Sequence, residues 1–228
     1  GCDVFVHYYS SGEAAAEIVK EAAKANRVAA CGRADLSDPA EAQGIVERAV
    51  AALGGLDVLV NNAGALLERR TLAETDSAFW SRVMALNLGS IHSVTRAAVP
   101  HLMAAAKARG GASIINLSSL AGRKGGGPGS VAYSSAKGAV LSFTRTLATE
   151  LGPAGIRVNA LAPGLILGSQ FHAVHTSPDA VQRTIATIPL GRAGTTMDVA
   201  RAAVFLAEEF DGFVTGATID INGGSYSC

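Results

Sequence analysis

A chain of 228 residues and 23.1 kDa has room for one well-buried domain and is short for two. Lys plus Arg number 19 and Asp plus Glu number 19, so no basic surplus argues for nucleic acid and no acidic excess argues for a solvated tail. With 49% apolar residues, 26 glycines and a mean hydropathy of +0.28, the composition excludes a disordered chain.

Short apolar runs of strand length recur along the chain. They are Asp3 to Tyr8, Val28 to Cys31, Leu56 to Val60, Ser113 to Leu117, Ile156 to Leu161 and Thr218 to Ile221. Helix-period segments lie between them. One has Ile45, Val46, Ala49, Val50 and Leu53 on a single face and is opened by Ser37-Asp38-Pro39, a capping start. Strands that alternate with helices pair in parallel, and crossover helices covering both faces explain why the strands read as apolar runs rather than half-wet alternations. The expected architecture is a doubly wound α/β domain with a Rossmann-like parallel sheet, occupying residues 1–228 as one unit.

The stretch from Val158 to Pro178 lacks charge and has membrane-spanning length, but Asn159, Pro163, Gly164, Gly168 and Gln170 make it a poor span. No membrane association is expected, and the start Gly1-Cys2-Asp3 is not a signal peptide. Cys2, Cys31 and Cys228 cannot all pair and lack metal-ligand spacing, so a reducing cytoplasm is the simplest location. His172 and His175, three apart with no third ligand, do not make a metal site; they are expected to shape the substrate pocket within a lid running from Gln170 to Thr187. The glycine run Gly125-Gly126-Gly127-Pro128-Gly129 lacks phosphate-loop spacing and reads as a flexible rim.

Chemistry concentrates in the helix Val131 to Leu151. Tyr133 and Lys137 are one turn apart, so their side chains share a face, and chance supplies on the order of 0.1 such pairs in a chain of this composition. A cation beside a phenol favours the phenolate and moves its pKa from about 10 towards neutrality, where it can exchange protons. Ser118-Ser119 closes the preceding strand, at the carboxyl end where open α/β sheets carry their sites. Asn61-Asn62-Ala63-Gly64 closes an earlier strand, where small residues let a flat ligand approach the backbone; an ordinary turn would use the same residues.

These residues resemble the short-chain dehydrogenase/reductase family. The resemblance runs through Asn61-Asn62-Ala63-Gly64, Asn87, Ser118-Ser119, Tyr133-Ser-Ser-Ala-Lys137, Arg157-Val-Asn159 to Pro163-Gly164, Pro189-Leu-Gly191-Arg192, and Val214-Thr-Gly216 to Gly223-Gly224. It implies interconversion of a carbonyl and a secondary alcohol with a nicotinamide dinucleotide. By resemblance Tyr133 is the general acid for reduction, Lys137 holds the nicotinamide ribose and lowers the tyrosine pKa, Ser119 steadies the substrate oxygen, and Asn87 binds a relay water. Reduction of a 3-oxoacyl thioester is one substrate class implied; sugar or polyol oxidation is the alternative, and a cofactor-binding assembly protein without catalysis is the reading from another class. The family also implies a homotetramer, with the helix from Val131 and the strand from Thr215 to Asn222 as interfaces.

The family's usual first strand and its glycine-rich phosphate turn are absent from this sequence, which begins at the second strand. The expectation is a longer natural chain, because losing a mid-sheet strand leaves two unpaired edges. The remaining cofactor contacts fall on Tyr8, Tyr9, Ser10 and Ser11, on Asp35 and Leu36, on Asn61, Ala63 and Gly64, on Tyr133 and Lys137, and on Pro163, Gly164 and Ile166, with Ser169 in the place of a customary threonine. No carboxylate follows the first strand to repel a 2′-phosphate, so NADP(H) is the expected cofactor and NAD(H) the alternative, although the customary arginine is missing from Tyr8 to Ser11.

Overall fold

The computed structural model describes residues 1–168, 177–208 and 212–227. In chain order the strands are β1 (Val4–Tyr8), β2 (Ala29–Arg33), β3 (Val58–Asn61), β4 (Ala112–Leu117), β5 (Ile156–Pro163), β6 (Ile166–Leu167), β7 (Gly194–Thr195) and β8 (Thr218–Ile221). The helices are α1 (Gly12–Lys24), α2 (Pro39–Leu53), α3 (Ser77–Met84), α4 (Ser90–Arg109), α5 (Leu120–Lys124), α6 (Val131–Leu151), α7 (Pro178–Ile185) and α8 (Thr196–Ala207). All six apolar runs become strands. The shifts at their ends are one or two residues, as at β3, where Leu56 and Asp57 stay outside the ladder and Asn61 joins it.

Local chemistry sets the helix boundaries. Asp38 caps α2 by accepting from the Ala40 amide at 2.8 Å, Pro39 supplies a first-turn residue that needs no donor, and Gly54 stops the helix at φ 75°. Asp76 caps α3 through the Phe79 amide at 2.7 Å. Thr195 and Asp198 close a capping box at the start of α8.

β3, β4, β5 and β8 form one parallel sheet in that order, and β1 pairs in parallel with β2 as a separate ladder. β4 is buried along its whole length, so its alternate side chains face two different cores. Ile114 packs with Val158 and with Val94, Ala98 and Leu102 of α4. Its neighbour Ile115 packs with Leu161 and with Leu206 of α8 on the other face. Both isoleucines are fully buried, and each contributes roughly 2 kcal/mol of burial. Helices therefore cover both faces of a parallel sheet, the doubly wound arrangement expected from the alternating pattern.

The ladder is interrupted between β1 and β3. Both strands line one cavity of about 2600 Å³, with Val4, Phe5 and Val6 on one bank and Leu59, Val60 and Asn61 on the other. Val60 of β3 is 45% exposed, and among the described residues β3 has a strand partner, β4, on one side alone. These are the two unpaired edges anticipated from the sequence.

Candidate active site

The end of β4 is where the site is built. Leu117, the last residue of β4, presents its carbonyl to the ammonium of Lys137 at 2.8 Å. Ser118 follows, and its buried hydroxyl donates to the main-chain carbonyl of the same Lys137 at 2.7 Å. One strand end thus grips both the backbone and the side-chain tip of this lysine. Ser119 caps α5 by accepting from the Ala121 amide at 3.1 Å, and its hydroxyl is hydrogen-bonded to the Tyr133 phenol. Tyr133 and Lys137 share a face of α6, with the ammonium 5.8 Å from the phenol ring centroid.

Helix α5 lies hard against α6. A Cβ added at Gly122 would stand 2.6 Å from the Lys137 carbonyl carbon and 2.9 Å from the Gly138 nitrogen, so only glycine permits this approach. Arg123 then fastens α5 to the far side of the sheet through paired bonds to Asp220 of β8, at 3.1 and 2.9 Å.

Asn87 sits in a π-helical turn, Ala85–Gly89, between α3 and α4. Such single-turn insertions in helices frequently mark functional sites. Its carboxamide accepts from the Ala65 amide at 3.1 Å and donates to the Ala65 and Val83 carbonyls at 2.8 and 2.9 Å. The side chain expected to hold a relay water is therefore committed to anchoring the loop after β3. Gly64 lies in that loop. A Cβ there would meet the Asn87 carboxamide oxygen at 2.7 Å and the Lys137 nitrogen at 3.0 Å, so glycine keeps open the space beside the lysine.

Burial decides the protonation of the pair. It pushes the Tyr133 phenol above its usual value near 10, opposed by the Ser119 hydrogen bond, and it lowers Lys137 to about 8. The lysine does not emerge as a cause of a depressed tyrosine pKa, contrary to the reading from spacing alone. Desolvation outweighs the field of an ammonium whose nearest partner is the Leu117 carbonyl. At neutral pH Tyr133 is a neutral proton donor beside a largely charged Lys137.

The residues expected to touch a dinucleotide fall into two groups. Tyr8, Tyr9, Ser10, Ser11, Asp35, Leu36, Asn61, Ala63 and Gly64 line the cavity between β1 and β3. Tyr133, Lys137, Pro163 and Gly164 belong to the ends of β4 and β5 and their following helix, and Gly64 joins the two groups. The Gly164 amide donates to the Ile221 carbonyl at 2.9 Å, and Ile166 is buried against Gly194. The Asn61 side chain is engaged by its neighbours. Its amide nitrogen donates to Thr95 and to Asn116, both at 2.9 Å, and Asn116 donates on to Thr144 of α6 at 3.0 Å. Its side chain ties β3 to α4 and β4, and Asn116 extends the chain of bonds to α6.

The glycine run 125–129, expected to form a flexible rim, is hydrogen-bonded to its surroundings through three of its carbonyls. The Arg70 amide donates to the Gly129 carbonyl at 2.9 Å, Arg69 donates to the Pro128 carbonyl at 3.1 Å, and Ser130 donates to the Gly127 carbonyl at 2.6 Å. Ser169, His172 and His175 lie outside the described residues; the later part of the expected lid, Pro178–Ile185, is helix α7. Among the described residues no group of three or more His, Cys, Asp or Glu could hold a metal, and no helix is long and apolar enough to cross a membrane.

Sequence reasoning passed over Asn116 and Thr144, which tie the strand ends together beneath the site. A signal existed for Asn116, a carboxamide inside the otherwise apolar run Ile114-Ile-Asn-Leu117, because a buried amide must find partners.

The family model for enoyl-(acyl carrier protein) reductase matches residues 1–226. The chain belongs to the short-chain dehydrogenase/reductase family of oxidoreductases. The 3-oxoacyl-(acyl-carrier-protein) reductase FabG of Staphylococcus aureus is 35% identical over 226 residues, covering 99% of this chain and 89% of that protein. Among solved structures, the NADH-dependent reductase A1-R′ responsible for alginate metabolism superposes with a TM-score of 0.90 at 35% identity, covering 100% of this chain and 88% of that one. A blue fluorescent protein from a metagenomic library, in complex with NADPH, superposes with a TM-score of 0.89 at 31% identity, covering 100% and 89%. In this oxidoreductase family setting, the strand-end cluster of Ser119, Tyr133 and Lys137 is the candidate catalytic centre.

Proposed function

We propose that the protein interconverts a carbonyl and a secondary alcohol with NAD(P)(H), and that 3-oxoacyl thioesters are its substrate class. The observation that carries this is the hydrogen-bonded line from Ser119 to Tyr133, with Lys137 held one helical turn away.

The residues fit a dinucleotide. Gly64 leaves room beside Lys137 that a methyl group would fill, and Pro163 and Gly164 edge the same strand ends. Tyr8 to Ser11, Asp35, Leu36 and Ala63 would hold the adenosine half, and Lys137, Gly64, Pro163, Gly164 and Ile166 the nicotinamide half. When bound, the nicotinamide supplies a hydride to the carbonyl carbon. Ser119 fixes the carbonyl oxygen with its hydroxyl, and Tyr133 donates its phenolic proton to that oxygen as the C–O π bond opens. Lys137, kept cationic at neutral pH, balances the phenolate left behind. Oxidation runs the same proton path in reverse.

The absence of a carboxylate from Tyr8 to Ser11 supports NADP(H) over NAD(H). Relatives include both an NADH-dependent reductase and an NADPH complex, so either choice is open to this fold. Residues 1–228 act as one nucleotide-binding domain, placed in the cytoplasm. A homotetramer through the helix from Val131 and the last strand is supported by Val131, exposed at the start of α6, and by β8, whose outer edge has no strand partner among the described residues.

The similarity to FabG favours 3-oxoacyl thioesters, and the similarity to a reductase of alginate metabolism favours a sugar-derived carbonyl as the second reading. Following reduced-nicotinamide absorbance over acetoacetyl thioesters and over keto sugars separates the two. A kcat/KM at least tenfold higher for the thioesters is expected, and the opposite ranking overturns the substrate assignment.

A further inference from the structure

The sequence offers no arginine in the turn after β1, yet the neighbouring strand delivers one there. Arg33 is the last residue of β2 and stands in register with Tyr8, the last residue of β1. The two ends are zipped together: the Ala34 amide donates to the Tyr8 carbonyl at 3.2 Å, and the His7 ring meets the Ala34 carbonyl at 2.9 Å. Because Ala34 is fully buried, strand alternation turns Arg33 away from the core. Its guanidinium lies over the Tyr9 ring, 5.2 Å from the centroid, which holds the planar group beside the 8–11 turn.

Among the described residues the Arg33 guanidinium donates no hydrogen bond, so its donors are available. The neighbouring Asp35 accepts from the Ser37 amide and hydroxyl through one carboxylate oxygen, at 2.9 and 2.6 Å, and its charge faces the Arg33 guanidinium without a hydrogen bond to it. Ser11 begins α1 without using its hydroxyl as a cap. The turn thus combines a stacked guanidinium, two serine hydroxyls and no carboxylate, at the strand end where an adenosine ribose would lie.

Resting on the nicotinamide reading above, we propose that Arg33 is the specificity-determining residue that recognises the 2′-phosphate of NADP(H), with Ser10 and Ser11 completing the anion contact. The cation comes from β2 rather than from the turn that follows β1, which is why a search along the turn misses it.

Binding of adenosine 2′,5′-bisphosphate and of adenosine 5′-monophosphate by calorimetry tests this without turnover. Wild-type protein is expected to bind the bisphosphate about tenfold more tightly, by the loss typical of one charge-assisted contact. Arg33→Ala should erase that preference and leave monophosphate binding unchanged, Arg33→Lys should recover part of it, and Lys20→Ala, a distant surface cation, should leave it intact. Arg33 is exposed, so an unchanged melting temperature accompanies the loss. A preference that survives Arg33→Ala, or disappears equally in Lys20→Ala, overturns the assignment. Wild-type protein that binds the monophosphate with no preference removes Arg33 alone, whereas binding of neither nucleotide removes the nicotinamide reading with it.

Discussion

Lys137 is the residue on which burial, position and charge meet. Its tip and its carbonyl are both held by the end of β4, and removal from water lowers its pKa from the usual 10.5 to about 8. The sign of the resulting stability change follows directly. Between pH 8 and 10 the unfolded chain keeps this proton while the folded chain has released it, so Lys137 makes folding more favourable as pH rises through that window. Urea denaturation at pH 7.5 and 9.5 should show wild-type stability gaining relative to Lys137→Met across the interval. A difference between the two proteins that stays constant with pH contradicts the buried, strained cation. Above pH 8 the same deprotonation withdraws the charge that balances Tyr133, so turnover should decline there.

At the scale of elements, the proposed catalytic geometry rests on how closely two helices approach. The fit of α5 on α6 at Gly122 fixes where Ser119, at the start of one helix, stands relative to Tyr133 and Lys137 on the other. Gly122→Ala places a methyl group against main-chain atoms that cannot rotate away. It should cost about 1–3 kcal/mol of stability, as overpacking does, and lower kcat more than tenfold with a smaller change in KM. Unchanged kcat and melting temperature would show that the helices have slack at this crossing.

Much of this level is visible in the linear chain. Apolar runs marked every long strand, and Ser37-Asp38-Pro39 marked the start of α2. The four-residue spacing of Tyr133 and Lys137 placed them on one face because helical neighbours are local. What escaped was set by packing between distant segments. Ser118 reaches Lys137 across 19 positions and Asn61 reaches Asn116 across 55, and no local pattern encodes such partners. Arg33 escaped for the same reason, since only strand pairing brings it beside Tyr9. The rise in the Tyr133 pKa was also illegible, because spacing reports that a cation is near but not how dry the pair becomes.

Over the whole molecule, two ladders meet at a cavity, and Gly64 is the point at which the residues proposed to face the nucleotide adjoin the candidate catalytic ones. The parallel order explains this division of labour, because every strand from β3 to β5 ends on the same side and contributes to one rim. Doubly wound sheets with both faces covered also leave that rim as the open place for substrate. The central claim is that Tyr133 moves the proton at this rim, and the rate of nicotinamide-dependent ketone reduction by wild type and by Tyr133→Phe tests it most directly. The substituted protein should keep its fold and nucleotide affinity while kcat drops by about 10² or more; a kcat within twofold of wild type contradicts the account.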